Sequence, residues 1–346
     1  MHRSGTSAFT GALNLLGVNL GTQLLETQAD NPKGFFENKY VVQANDCILE
    51  TLNSSWDDTF PLPADWRERF EGSQLHGDIR AFLHEDMREG QLSALKDPRL
   101  CRLLPLWLPH FDAEQIATHF AIVVRNPLEI AESLRSRNGF STGKSLLLWM
   151  QHMLDAERFS RGKPRGLIDF NTLLNEPRIA VQRLFDSAAL ELPEGSETNQ
   201  VALAEFLDAD LRHHASDASD LDSRAADIVS RCYRLLCAIA ERGDTTVEDC
   251  KALDAIAVEF GQSMQLWYND DLLERCASEA TVNAEDAVAE ARARDREQFE
   301  RDKAFRERRY VAHTRAILRD RERLQTHADN LEREIAQYIG SPAWRV

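Results

Sequence analysis

Four groups of residues have the types and spacing to do chemistry. The first is His2-Arg3-Ser4-Gly5-Thr6-Ser7, which opens an apolar helical pattern carried by Phe9, Leu13, Leu15 and Leu16. A helix N-terminus offers unpaired amides and a positive dipole end, a ready seat for an anion. Gly5 lets the backbone approach that anion closely. Thr6 and Ser7 add hydroxyl donors, and Arg3 adds a charged fork. The stretch is not a G-x-x-x-x-G-K-[ST] loop, because Arg3 precedes the glycine and no Lys follows it. The plainer alternative is an ordinary helix start capped by Ser4.

The second group is Arg125 and Ser133. Arg125 ends the most β-rich run of the chain, His119–Val124, and Pro127 suits the first turn of a following helix. Ser133 lies two turns into that helix, on a face that can turn back to the strand's carboxyl end, where open α/β sheets bind ligands. A surface Arg and a helix-packed Ser are the alternative. The third is Glu37, after Gly34-Phe35-Phe36; a carboxylate buried among phenylalanines has a raised pKa and suits a general base. Its alternative is a cap or surface Glu. The fourth is Lys96 of Lys96-Asp97-Pro98-Arg99, whose alternative is a simple pair with Asp97. His76, His213 and His214 are weaker base candidates. Trp149 reads as core before it reads as a ring-stacking platform.

These groups need elements to hold them. The pattern predicts helices near 38–52, 73–89, 128–137, 145–160 and 177–189, and strands at Leu92–Leu95, His119–Val124 and Gly166–Phe170. Residues 100–110 read as a buried helix interrupted by Pro105. Helices follow at about 199–210, 221–242 and 246–274. Alternation of strand and helix in the first half implies an α/β fold with a central parallel sheet.

The loop, the Arg125/Ser133 pair and several further stretches together resemble the sulfotransferases that use 3′-phosphoadenosine 5′-phosphosulfate, in the bacterial branch with an HRSGTS-type loop. The further stretches are Asn31–Glu37, Lys96–Arg99, Trp149 in LLLWMQHMLDAER and Ile168–Pro177. The resemblance covers roughly residues 1–215. It implies a P-loop-like three-layer fold in which His2, Arg3, Ser4, Gly5, Thr6 and Ser7 bind the 5′-phosphosulfate and Arg125 and Ser133 bind the 3′-phosphate. It also implies Glu37 as base, and Lys96 with Arg3 as assistants to the transferring sulfuryl group. The acceptor would be a hydroxyl, of a glycan or glycolipid precursor among others; no metal is implied. The family's loop follows a central strand, whereas Met1 falls inside the loop, so a strand encoded upstream of Met1 is expected. An atypical nucleotide-binding kinase and a degenerate, non-catalytic interaction module are the alternatives.

Composition bounds these readings. The chain has 346 residues, 43% of them apolar, and a formal net charge of −16, which excludes wholesale disorder and argues against a general nucleic-acid binder. Residues 1–290 carry 27 Lys/Arg against 47 Asp/Glu, whereas residues 291–338 carry 13 against 10. In that tail Tyr310, Ile317, Leu324, Leu331 and Tyr338 recur every seven residues, with Ala328 and Ile335 four after Leu324 and Leu331. This heptad pattern, weakened at its start by the polar Thr314 and Arg321, points to a coiled coil that forms a homodimer or binds a partner; a single long solvated helix packing back on the domain is the alternative. The expected division is a catalytic domain at 1–275, a charged helical extension at 276–338 and a tail at 339–346. Six cysteines without CxxC or zinc spacing, no 18-residue apolar run and no signal peptide lead to a cytoplasmic expectation without a membrane span.

Overall fold

The computed structural model describes residues 1–26, 34–87, 91–191, 193, 202–203, 206–207 and 224–267. The chain is mixed α/β and mostly helical. Helices α1 (Thr6–Leu15), α2 (Lys39–Thr51), α3 (Leu75–Asp86) and α4 (Leu100–Ala113) precede strand β1 (Phe120–Val124). Then come α5 (Pro127–Asn138), α6 (Thr142–Phe159), β2 (Arg165–Asp169), α7 (Phe170–Asn175), α8 (Pro177–Ser187), α9 (Arg224–Arg242) and α10 (Val247–Trp267). One compact unit spans Met1–Ser263. A second begins at Met264, and the expected coiled coil falls there, outside the described residues. No described helix is long and apolar enough to cross a membrane.

β1 and β2 pair in parallel, Phe120 opposite Arg165 and Val124 opposite Asp169. Both strands are apolar on both faces, as strands between two helical layers must be. Ile122, Val124 and Leu167 pack with α5, α6, α9 and α10, through residues such as Ile130, Trp149, Leu236 and Leu253. Val123 and Ile168 pack the other way, against Phe9, Leu13, Leu173 and Phe185 of α1, α7 and α8. A third core joins α2, α3 and α4 through Ile48, Ile79, Leu103 and Trp107. Trp149 is fully buried in the first of these cores, in line with its reading as core.

Two expectations need correction. Among the described residues Leu92–Leu95 is not a strand of the sheet: it makes an isolated bridge between Ser93 and Asn19, held by Asn19 N to Leu92 O at 3.1 Å and Ala94 N to Asn19 O at 2.8 Å. Among the described residues the sheet is therefore two-stranded. Residues 100–110 are not interrupted either, for α4 runs through both Pro105 and Pro109. An interior proline costs about 3 kcal/mol or more; the burial of Leu103, Leu106, Trp107 and Phe111 on the same helix offsets it.

Candidate functional site

The loop before α1 is built from two left-handed residues. Arg3 has φ 63° and Gly5 φ 87°, and Gly5 is the N-cap of α1 with no side-chain cap. Left-handed backbone is uncommon outside glycine, so Arg3 is held there by its surroundings. The Ser4 hydroxyl donates to the carbonyl of Met1 and is buried; it braces the loop instead of capping the helix. A Cβ on Gly5 would lie 2.3 Å from the Phe170 ring, so only glycine fits against the first residue of α7.

Arg3 and Ser133 meet, although 130 residues separate them: Arg3 Nε donates to Ser133 Oγ at 2.7 Å. Arg125 Nη1 donates to the carbonyl of Arg3 at 3.0 Å. Its Nε donates to Glu129 Oε2 at 3.0 Å, and its guanidinium lies 4.4 Å from the Phe170 ring centre. β1 delivers Arg125 to this corner. Asn126 then caps α5 by accepting from Leu128 N at 2.9 Å, and Pro127 fills the first helical position. Ser133 follows on the buried face of α5. The two groups read separately from the sequence are thus one cluster at the carboxyl ends of β1 and β2.

Glu37 and Lys96 form the second half of the site. They make a buried ion pair, and Lys96 Nζ also donates to the carbonyl of Phe35 at 2.9 Å. Ser7 Oγ of α1 donates to that same carbonyl at 3.3 Å. One backbone oxygen therefore ties the loop helix to the acid–base pair. Burial pushes the Glu37 carboxyl up against the lowering pull of Lys96, and burial pushes the Lys96 ammonium down against the raising pull of Glu37. Each group is thus moved toward its neutral form.

Lys96 does not pair with Asp97. Asp97 instead accepts from Arg99 N at 2.7 Å and Arg99 Nη1 at 3.1 Å, and from Asn45 Nδ2 at 3.2 Å. Asn45 in turn accepts from Trp107 Nε1 at 2.8 Å. This chain from the α2–α4 core fixes the residue beside Lys96. Phe36, with φ 55°, is a second left-handed residue other than glycine at the site.

His2 turns away from the loop. Its ring lies 4.2 Å from Trp56, centre to centre, and its Nε2 is buried without a partner. Burial first, then the nearby Arg99, keeps its imidazole neutral. Thr6 begins α1 without a side-chain role in its cap. His76 lies outside this cluster, beside His110, and His213 and His214 are outside the described residues.

Sequence reasoning missed Glu129 and Phe170. The four-residue spacing of Arg125 and Glu129 across a helix start was a usable signal; nothing local marks Phe170 as the floor of the loop. Among the described residues no group of three or more His, Cys, Asp or Glu is placed to hold a metal ion. The cluster can therefore offer an anion two guanidinium groups, hydroxyls and a helix end, beside a carboxylate–ammonium pair able to exchange a proton. Compared with known proteins, the chain matches no family, no curated protein and no solved structure.

Proposed function

We propose that this chain is a sulfotransferase that moves a sulfuryl group from 3′-phosphoadenosine 5′-phosphosulfate to an acceptor hydroxyl, within a P-loop-like three-layer fold. The observation that supports this most directly is the bond between Arg3 and Ser133, with Arg125 on the Arg3 carbonyl. It joins the loop suited to a phosphosulfate to the pair suited to a second phosphate. The Glu37–Lys96 pair, linked to the loop helix through the Phe35 carbonyl, supplies a base within the same site.

The reaction needs positioning and charge stabilisation more than covalent help from the protein, as in phosphoryl transfer. The loop amides, Thr6 and Ser7 cradle the phosphosulfate while Arg125 and Ser133 hold the 3′-phosphate. The acceptor oxygen attacks sulfur in line with the leaving phosphate oxygen. As the new S–O bond forms and the old one breaks, the hydroxyl proton passes to Glu37. Arg3 and Lys96 stabilise the charge that moves onto the leaving 3′,5′-bisphosphate. Carbohydrate hydroxyls are the acceptor class in view; the chain works in the cytoplasm, as a dimer through its heptads.

One observation favours a second reading, a non-catalytic binding module: the Lys96 ammonium and the Glu37 carboxylate are already bonded to each other. Thermal-shift titration separates the readings. The sulfotransferase is expected to be stabilised by 3′-phosphoadenosine 5′-phosphate more than by ATP with Mg²⁺. Stabilisation by ATP·Mg²⁺ alone would sink the proposal in favour of a kinase. Binding of the bisphosphate without sulfuryl release from the donor, over a panel of hydroxyl acceptors, would leave the module.

A further inference from the structure

The segment between α2 and α3 carries one large side chain to the site. Residues 53–60 form neither helix nor strand, yet they are fastened to two helices. Arg102 of α4, itself 2% exposed, donates to the carbonyls of Asp58 at 3.1 Å and Phe60 at 2.8 Å. From α6, Gln151 Nε2 donates to the same Phe60 carbonyl at 3.1 Å, and Lys144 Nζ donates to Asp57 Oδ2 at 2.7 Å. Inside the segment Asp58 accepts from Ser54 Oγ at 2.8 Å and from Phe60 N at 2.9 Å. Ordering an irregular segment costs entropy residue by residue; these bonds offset it and hold Trp56 in one place.

The indole bridges the two elements that make the anion cluster. Its ring centre is 4.2 Å from that of His2, the residue before Arg3. On the other side it is 5.8 Å from the Phe140 ring centre and 5.6 Å from the Arg137 guanidinium. Arg137 lies one helical turn beyond Ser133, and Phe140 follows Gly139, whose φ of 72° ends α5. Lys144 closes the stack, its Nζ 4.0 Å from the Phe140 ring centre. The loop and α5 are thus joined twice, once by the Arg3–Ser133 bond at 2.7 Å and once through Trp56. The second join supports the left-handed Arg3, φ 63°, a conformation that a residue other than glycine keeps only where its surroundings compel it.

Trp56 also packs at the border of the first and third cores. Filling a core needs only an apolar side chain of about the right volume. Spanning from an imidazole to a phenyl ring and a guanidinium needs a flat aromatic ring. The two roles therefore respond differently to leucine and to phenylalanine.

We infer that Trp56 is a positioning residue of the anion site. Clamped between His2 and the end of α5, it sets the separation of the loop from Ser133, and with it the spacing between an anion at the loop and a second anion at Arg125 and Ser133. The site then selects ligands that carry two phosphate-like groups at one fixed distance over ligands that carry one. This role deepens the sulfotransferase reading and rests on it for the two-anion ligand; the clamp itself stands on the contacts.

Trp56→Leu and Trp56→Phe, made in the full chain, test it. In the ligand-free protein the Arg3 Nε proton, bonded to Ser133, is followed by NMR exchange, with the Arg125 Nε proton, bonded to Glu129, as internal control. Trp56→Leu should speed exchange at Arg3 about tenfold and leave Arg125 unchanged, and Trp56→Phe should restore it. In titration calorimetry Trp56→Leu should cut the preference for 3′-phosphoadenosine 5′-phosphate over adenosine 5′-phosphate about tenfold, again with rescue by phenylalanine. Equal acceleration at Arg3 and Arg125, or both ligands weakened by one factor, marks a core role and overturns the inference, as does phenylalanine behaving like leucine. Should Trp56→Leu fail to fold, Lys144→Met loosens the segment from outside the core. It should speed Arg3 exchange by about threefold, the worth of a partly exposed ion pair, and no change there equally overturns the clamp. A parent chain without preference for the bisphosphate defeats the sulfotransferase reading alone, because exchange at Arg3 still reads the clamp.

Discussion

Two buried ion pairs border the site, and they are built for different work. Arg125–Glu129 is local, one helical turn apart, with side chains 8% and 1% exposed. Lys96–Glu37 joins residues 59 apart, with side chains 9% and 7% exposed. Burial is nearly equal, yet the chemistry is not. A guanidinium does not surrender its proton, so Arg125 is a permanent cation that orients the start of α5 and grips the loop carbonyl. An ammonium and a carboxylate pressed toward their neutral forms can exchange a proton. The first pair keeps its charges fixed, as scaffold and proposed phosphate grip together, and the second is the one proposed to move a proton.

That contrast can be broken experimentally. The largest effect falls on Glu37→Gln, which should lower kcat for sulfuryl transfer by about 10²–10⁴-fold, the usual worth of a general base, while bisphosphate binding persists. The acid limb of the kcat/KM profile in the unmodified chain should lie above the ordinary carboxylate value, because burial raises Glu37. Lys96→Met removes the opposing cation and should move that limb higher still. An acid limb at the usual Glu value in both proteins would falsify the assignment of Glu37 as base.

Arg125→Ala is expected to act on stability instead. It takes the guanidinium away from the buried Glu129 carboxylate, and breaking a buried pair costs about 3–5 kcal/mol, readable by denaturant unfolding. The preference for a 3′-phosphate should vanish with it; equal affinity for the bisphosphate in variant and parent would dismiss the site. By contrast, the double variant Glu37→Gln with Lys96→Met removes both charges together. It should be as stable as the parent or more so, by up to about 4 kcal/mol, though inactive. A large loss of stability there would make the second pair scaffold too.

A third pair sharpens the comparison with a smaller effect. His76 Nδ1 lies 2.8 Å from His110 Nε2 between α3 and α4. Burial, then His76 and Arg80, hold His110 below its usual value against the pull of Glu114. A histidine depressed in the fold contributes stability above its unfolded pKa of 6.5 and loses it as pH falls through the lower folded value. Acidification below 6.5 should therefore lower the melting temperature. His110→Asn should flatten that dependence; an unaltered slope would trace it to other groups.

Much of the scaffold was legible because its signals are local. A β-rich run and Pro127 at the first helical position announce β1 and α5 within a dozen residues. Arg125 and Ser133 could be singled out on that frame. The true partner of Lys96 could not, since Glu37 and Asp97 are equally plausible from sequence and only the fold decides. The run of α4 through two prolines was illegible for a related reason: local propensity predicts a break, and packing against α2 and α3 overrides it. The shortfall at Leu92–Leu95 belongs to the same class, because a strand exists only where a neighbour pairs with it.

The clash at Gly5 carries a consequence for how this chain can change. Position 5 and position 170 share one volume, and the ring that forbids a side chain on the loop also lies beneath Arg125. A smaller residue at 170 would give the loop room while taking away the surface on which the guanidinium rests. Mutational drift at 170 is thus bounded from two sides by residues far away in the chain, while position 5 is held to glycine by its φ of 87° whatever stands at 170.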